Sequence, residues 1–302
     1  MPDTPPAASE TPLAGLLSAL GLTQVPYGLY YTDVAPPDEG FAPDPGPRLS
    51  IELERKGQID WGAVWGHFSC VMGKLWLARK KGGVAWFDAE RYGCPGGSFY
   101  LGFHAPQLDF IACYISTGIP GTPVTGERYL PSPASAKRFF QEIAPRPAPA
   151  RYCVIKPVTQ FADDETPETV IFFGRGEALT GLSTLAAFVT DDYEVVAAPF
   201  GAGCGYIATW PLHYQAKGRT RAVLGCGDPS ARKYMLPDEM TFTVPYSLYQ
   251  QLLTHWPESF LPTKTWGVVQ KKIARSREAW GEVVEERKEW NKGKTPPAAG
   301  RG

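Results

Sequence analysis

The chain has 302 residues and a formal net charge of only −1, from 30 Lys and Arg against 31 Asp and Glu. This balance argues against a protein that binds nucleic acid through a broad basic surface, and against an acidic disordered chain. The 32 Gly and 30 Pro predict many turns and loops rather than a helical bundle, and six Cys are too few for a disulfide scaffold.

The two ends of the chain, residues 1–10 and 292–302, are predicted to be disordered. The first twelve residues lack a basic start followed by an apolar stretch, so no secretory signal is expected. The longest apolar runs have the length of strands, so no membrane span is expected either. We therefore expect a cytoplasmic protein that binds neither membrane nor nucleic acid, with cysteines that are reduced, metal-bound or catalytic.

The first half of the chain is predicted to span 11–145 and to mix helices with strands. Apolar periodicity and Gly or Pro boundaries predict, in order, a helix at 13–20, a strand at 25–31, a Pro-rich loop at 35–48, a helix at 60–81, a strand at 84–87 and a Gly-rich turn at 93–97. A second Pro-rich stretch at 145–149 separates this half from the next.

The second half is predicted to span 150–260 and completes a domain over 11–260. The same signals predict strands at 153–158, 169–173, 194–200, 222–225 and 240–244, helices at 177–189 and 245–253, and a Gly-rich turn at 201–205. Strands that alternate with helices indicate the α/β or the α+β class. A long amphipathic helix is predicted at 266–291, and we expect it to pack on the body or on a partner subunit of a homo-oligomer.

Four of the six cysteines form two similarly spaced pairs. Cys70 and Cys94 are 24 residues apart, and Cys204 and Cys226 are 22 apart. In each pair a Trp follows the first cysteine by six residues, and a Gly precedes the second cysteine. This weak internal repeat predicts two pseudo-repeated halves with mixed sheets, each of which supplies two thiols to a shared site.

Glycine-rich turns hold three of these cysteines. Glycine lets the backbone approach a bound group and point amide donors at sulfur. We therefore predict that five glycines line a cofactor: Gly93, Gly96, Gly203, Gly205 and Gly225. The other two cysteines, Cys113 and Cys153, lie in apolar elements and are expected to be small buried hydrophobes.

Four thiolates suit either tetrahedral zinc or an iron–sulfur cluster. Structural zinc usually uses tight C-x₂₋₄-C knuckles, and the chain has none. The wide spacing therefore favours a [4Fe-4S] cluster.

Three further side chains are predicted to handle the protons or the charge of a substrate. His67 lies three residues before Cys70, hence on the same face of the predicted helix. Arg232 and Lys233 follow Cys226 closely and suit a carboxylate or phosphate.

Six short segments carry a recognisable family pattern: Val25-Pro26-Tyr27-Gly28, Cys94-Pro95-Gly96-Gly97, Tyr100-Leu101-Gly102, Gly225-Cys226-Gly227, Arg232-Lys233-Tyr234 and Val244-Pro245-Tyr246. They resemble the uncharacterised ArCR family, a prokaryotic domain of unknown function. The resemblance covers roughly Leu13 to Leu253 and implies a joint role for the cysteines at 70, 94, 204 and 226. It implies no particular activity.

The residues thus predict an iron–sulfur protein with one [4Fe-4S] cluster on Cys70, Cys94, Cys204 and Cys226. The cluster would serve redox or Lewis-acid chemistry on a small-molecule substrate, as in an oxidoreductase or a lyase, and a redox role implies an electron-donor protein. Two alternatives stay open. One is a cluster-free enzyme with Cys94 as its nucleophile; the other is a non-catalytic module that binds a small molecule or a partner.

Overall fold

The structure is a computed structural model that describes residues 11–292, apart from the side chains of residues 286, 287 and 289–292. The ends predicted to be disordered, 1–10 and 292–302, lie outside the described residues, except that Lys292 ends the last helix. The chain divides into two compact units, 1–254 and 255–302.

The first unit is built on one mixed sheet of seven strands. These are β1 (Tyr27–Thr32), β2 (Ala85–Phe87), β3 (Tyr152–Pro157), β4 (Thr169–Gly174), β5 (Val196–Ala197), β6 (Ala222–Gly225) and β7 (Met240–Pro245). Their order in the sheet is β2-β3-β1-β4-β7-β6-β5, and every neighbouring pair is antiparallel except β5 and β6. The α/β class is thereby confirmed, and the strands of both predicted halves share this one sheet.

Helices occur in both units. Within the described residues they are α1 (Pro12–Leu20), α2 (Ile51–Arg55), α3 (Trp61–Gly66), α4 (Val71–Lys81), α5 (Pro95–Tyr100), α6 (Asp109–Tyr114), α7 (Pro133–Glu142), α8 (Gly176–Thr190), α9 (Trp210–Ala216), α10 (Pro229–Arg232), α11 (Tyr246–His255) and α12 (Lys264–Lys292).

The central strands are buried on both faces. Every residue of β3 and β4 is buried, which explains why these segments are nearly continuous apolar runs instead of alternating ones. Leu29 and Ile171 point to one face, where they join a core with Val71 and Leu75 of α4. On the other face, Phe172 of β4 contacts α11.

The prediction of one helix at 60–81 is wrong, because this segment forms two helices, α3 and α4. Asp60 begins α3 by accepting a hydrogen bond from the Ala63 N–H at 2.9 Å. The chain then leaves the helix, and the Ser69 N–H donates to the Gly93 carbonyl at 2.8 Å. A tertiary hydrogen bond thus takes the place of a helical one, and His67 and Cys70 do not share a helix face.

The Gly-rich segment at 201–205 is also more regular than predicted. The strand expected at 194–200 shrinks to the two residues of β5, and a helix already begins at residue 203. It contains a π-helical turn over Gly205–Thr209 before it continues as α9. Such turns are uncommon and are frequent at functional sites.

The second unit contains the long C-terminal helix, which confirms the prediction at 266–291. The ring of Phe260, in the turn before α12, lies edge-on to Trp266 with centroids 5.0 Å apart. Val269, Trp280 and Val284 on α12 are 37%, 61% and 46% exposed. Among residues 11–292, no helix is both long and apolar enough to cross a membrane.

Candidate functional site

Two of the predicted cysteine ligands start neighbouring helices. Cys70 is the N-cap of α4 and Cys94 is the N-cap of α5, and the Ser69–Gly93 hydrogen bond joins the two segments. The Cys94 Sγ accepts a hydrogen bond from the Gly97 N–H at 3.2 Å. The Cys70 side chain accepts no capping hydrogen bond, but the backbone N–H groups of Met72 and Gly73 lie close enough to lower its pKa. Both sulfurs therefore face amide donors that stabilise a thiolate.

A third cysteine, Cys204, packs against the start of α4. A Cβ added to the preceding Gly203 would lie 2.5 Å from Met72 Cγ and 2.9 Å from Ala231 Cβ, so the backbone of this segment touches α4 and α10 directly. Burial is the main cause of the raised pKa of Cys204, and negative charge on Cys94 or Cys70 raises that pKa further. Three thiols from three separate segments therefore lie within electrostatic reach of one another.

Cys226 has different surroundings. It is fully buried with a left-handed backbone (φ 60°), and its Sγ accepts a hydrogen bond from Thr241 Oγ1 at 3.7 Å. Burial raises the pKa of Cys226 to about 12. The charge of Asp228 also raises this pKa, whereas the charges of Arg232 and Arg79 lower it. The surroundings of Cys226 are therefore set by β7, α10 and Asp228.

Burial disfavours the thiolate form of all four cysteines in the metal-free protein. Burial raises the pKa of Cys94 to about 12, with a further contribution from Cys70, and burial also raises the pKa of Cys70 and of Cys204. A bound metal would reverse this, because a coordinating thiol is deprotonated outright. Within residues 11–292, no group of three or more His, Cys, Asp or Glu side chains is arranged to hold a single metal ion.

A cavity of about 250 Å³ lies beside these cysteine segments. Gly96, Ala202 and Gly227 line it, and each is within two residues of Cys94, Cys204 or Cys226. Most of the remaining wall is apolar or aromatic, from Tyr100, Ile111, Ile115, Tyr129, Phe140, Phe200 and Tyr206. Its titratable carboxyl groups are those of Glu127 and Asp228. A small concave site of this kind is typical of ligand binding.

Comparison with known proteins identifies the family. The family model described as uncharacterised ArCR matches residues 15–255, most of the chain and nearly all of the first unit. The chain belongs to the ArCR family. No curated protein and no solved structure matches it significantly.

Of the predicted catalytic residues of this ArCR protein, His67 is exposed in the connection between α3 and α4. The guanidinium of Arg232 donates hydrogen bonds to the carbonyls of Cys226, Leu236, Pro237 and Glu239. These hydrogen bonds stabilise the turn at Cys226. They also occupy the guanidinium N–H donors that a substrate anion would need.

Lys233, the remaining predicted catalytic residue, is close enough to Cys70 for its charge to lower that pKa. Its Nζ also lies 5.1 Å from the centre of the Tyr234 ring. Lys233 therefore stays near the thiols, whereas Arg232 serves the local backbone.

The predicted cofactor glycines are required mainly by the protein's own packing. Gly93 has a left-handed φ of 82°. A Cβ on Gly205 would lie 2.9 Å from the Tyr100 ring, and one on Gly225 would collide with Tyr206. Gly96 lines the cavity, and Gly203 holds Cys204 against α4 as described above.

Sequence reasoning missed Glu127, Asp228 and Gln107, all of which line the cavity; the Gln107 Nε2 is buried and has no hydrogen-bond partner among the described residues. For Asp228 a signal was available, because this acidic residue follows Cys226 by two positions within Gly-Cys-Gly-Asp. Glu127 lies in an irregular segment 101 positions away, so no local pattern connects it to the site.

Proposed function

We propose that this ArCR protein binds a [4Fe-4S] cluster through Cys70, Cys94 and Cys204, next to a cavity that takes a small-molecule substrate. One observation carries the proposal: the segments that hold Cys70, Cys94 and Cys204 come from distant parts of the sequence and meet beside a single cavity, close enough for charge on Cys94 or Cys70 to raise the pKa of Cys204. When bound, such a cluster supplies either electron transfer or a Lewis-acidic iron. Three protein sulfurs leave one iron of a four-iron cluster without a cysteine ligand.

The chemistry of the donor set supports an iron–sulfur cluster. The Gly97 N–H on Cys94 is the kind of amide–sulfur hydrogen bond that tunes cluster potentials. Within residues 11–292 no group of three or more potential ligands is arranged for a single metal ion such as zinc, whereas a cluster would spread its ligands around several irons. All six cysteines are free, so each is available as a thiolate ligand.

The proposal leaves Cys226 outside the ligand set and changes the role of the predicted charged residues. Lys233, near Cys70, balances the negative charge of the thiolate site. A redox role requires an electron-donor protein as partner. A cluster-free enzyme with Cys94 as nucleophile is less well supported, because burial raises the pKa of the Cys94 thiol and a reactive cysteine needs a lowered one.

The test is anaerobic reconstitution of the full chain with iron and sulfide, followed by iron and sulfide analysis and a visible spectrum. We expect a brown protein with about four irons per chain. Cys70→Ser, Cys94→Ser and Cys204→Ser should each lose most of the iron. Cys113→Ser is the matched control, since Cys113 is a half-buried free thiol outside the site, and it should retain the iron.

The Cys226→Ser variant decides between three and four ligands. With three ligands, its iron content should equal that of the unchanged protein. Iron loss equal to that of Cys94→Ser would instead restore the four-cysteine site predicted from the sequence. A colourless, iron-free protein after reconstitution would refute the cluster altogether.

A further inference from the structure

The ionisable side chains that line the cavity beside the cysteines are all acidic. Glu127 and Asp228 both line it, and none of the described lining residues is Lys, Arg or His. An anionic ligand would therefore meet two carboxyl groups with no compensating cation. The electrostatics of the cavity select against carboxylates and phosphates.

Asp228 presents an unsatisfied acceptor. The residue is only 9% exposed, and its Oδ2 accepts hydrogen bonds from the Ser230 hydroxyl at 2.5 Å and the Ala231 N–H at 3.1 Å. Its Oδ1 is buried and makes no hydrogen bond of good geometry within the described structure, although the backbone N–H groups of Gly203 and of Asp228 itself lie near enough to the carboxylate to lower its pKa. A buried acceptor without a donor is costly, so this oxygen is ready to take a donor from a ligand.

Glu127 adds a second carboxyl group at the wall of the same cavity. Burial raises the pKa of Glu127, the charge of Asp228 raises it further, and a hydrogen bond with Tyr129 partly offsets both. Burial likewise raises the pKa of Asp228. Two carboxyl groups that disfavour each other's ionisation are stabilised together by one positive charge placed between them.

The rest of the cavity suits the apolar body of such a cation. Tyr100 and Tyr206 are almost fully buried, at 6% and 5% exposure, whereas Tyr129 and Phe200 are 36% and 42% exposed, as expected for side chains at the opening. Aromatic faces attract ammonium groups as well as apolar carbon. A volume of about 250 Å³ lies just below the range of roughly 300–1,000 Å³ typical of drug-sized ligands, so the ligand is compact.

We propose that this cavity binds a small organic cation, an ammonium group on a compact apolar body, whose charge lies at Glu127 and Asp228. A metal ion in the same place is disfavoured, because among residues 11–292 no group of three or more potential ligands is arranged for one. The inference names the substrate class of the proposed function and in that sense rests on it. No cysteine lines the cavity, however, so cation binding does not require the cluster.

The experiment uses isothermal titration calorimetry on the full chain, both reconstituted and iron-free. Benzylamine, benzyl alcohol and benzoate share one ring and differ in charge, and n-butylamine is a smaller second cation. We expect at least one amine to bind about ten-fold or more tightly than benzyl alcohol, and benzoate not to bind. Iron content is measured on the same samples, so failure of the cluster and failure of cation binding are distinguished.

Two near-isosteric variants test the carboxyl groups. Glu127→Gln and Asp228→Asn should each weaken amine binding by about ten-fold or more. Asp228 is the N-cap of α10, and Asn is about as good an N-cap as Asp, so the fold is retained. Asp60→Asn is the matched control: it changes the N-cap acid of α3, which lies outside the cavity, and should leave binding unchanged.

Several results would overturn the inference. These are equal affinity for benzyl alcohol and the amines, a preference for benzoate, no amine binding at millimolar concentrations, or unchanged affinity in both carboxyl variants. Thermal unfolding of each variant shows that it is folded before it is titrated. If one carboxyl variant does not fold, the other still decides the question.

Discussion

Replacing Gly203 by Ala should separate Cys204 from the segments that carry Cys70 and Cys94. Gly203 is buried, and its backbone does not have a left-handed φ, so alanine is compatible with its conformation. The new methyl group would nevertheless lie 2.5 Å from Met72 Cγ and 2.9 Å from Ala231 Cβ. The perturbation is therefore steric, and it acts at the contact that brings the third thiol to the site.

The size of the effect follows from two opposing contributions. Carbon atoms are optimally about 3.5–4.0 Å apart, so the contact with Met72 must open by about an ångström. Overpacking of this kind typically costs about 1–3 kcal/mol. The higher helix propensity of Ala compared with Gly stabilises the folded state by at most about 1 kcal/mol. The flexible Met72 side chain can move, whereas the Cβ of Ala231 cannot, so we expect a net loss of about 1–2 kcal/mol.

The assay is urea unfolding together with iron content after anaerobic reconstitution. Gly203→Ala should unfold at lower urea and bind less iron than the unchanged protein. Gly176→Ala is the control: Gly176 is an exposed residue that begins α8, and a Cβ there would meet nothing within 4 Å. Full stability in Gly203→Ala would refute the packing argument. Normal iron content despite lower stability would refute the role of this contact in assembling the thiols.

Two ion pairs allow further predictions. Arg79 and Glu239 form a bidentate pair, with side chains only 10% and 9% exposed, so Arg79→Met should cost about 3–5 kcal/mol in urea unfolding. The double Met variant of this pair should recover most of that loss, and an additive loss would contradict the reasoning. Burial would raise the pKa of Glu165, but hydrogen bonds from Lys156 and Tyr30 outweigh it and hold that pKa below its usual range. This stabilisation is present above the unfolded-state pKa and is lost as the pH falls through the folded-state value. Glu165→Gln should therefore be less stable at pH 7 and lose less stability than the unchanged protein between about pH 5 and pH 3.

Much of the secondary structure is predictable because it depends on local patterns. The strands β3, β4, β6 and β7 are short apolar runs bounded by Gly, Pro or polar residues, and their predicted and observed limits agree within one or two residues. The long amphipathic pattern of α12 likewise identifies a helix without knowledge of its neighbours. Periodicity and boundary residues suffice where the chain forms its hydrogen bonds with itself.

The sequence by itself determined the α/β class and the positions of the main strands. It also distinguished the cysteines in Gly-rich turns from Cys113 and Cys153, which lie in apolar segments. The break before Cys70 depends on a hydrogen bond from Ser69 to Gly93, a partner that no local pattern identifies. The approach of the Cys204 segment to the start of α4 likewise depends on a contact between distant segments, that of Gly203 with Met72. The carboxyl pair of Glu127 and Asp228 is 101 residues apart in sequence. Only tertiary packing brings these groups to one cavity, because electrostatic and steric contacts depend on distance in space and not on position along the chain.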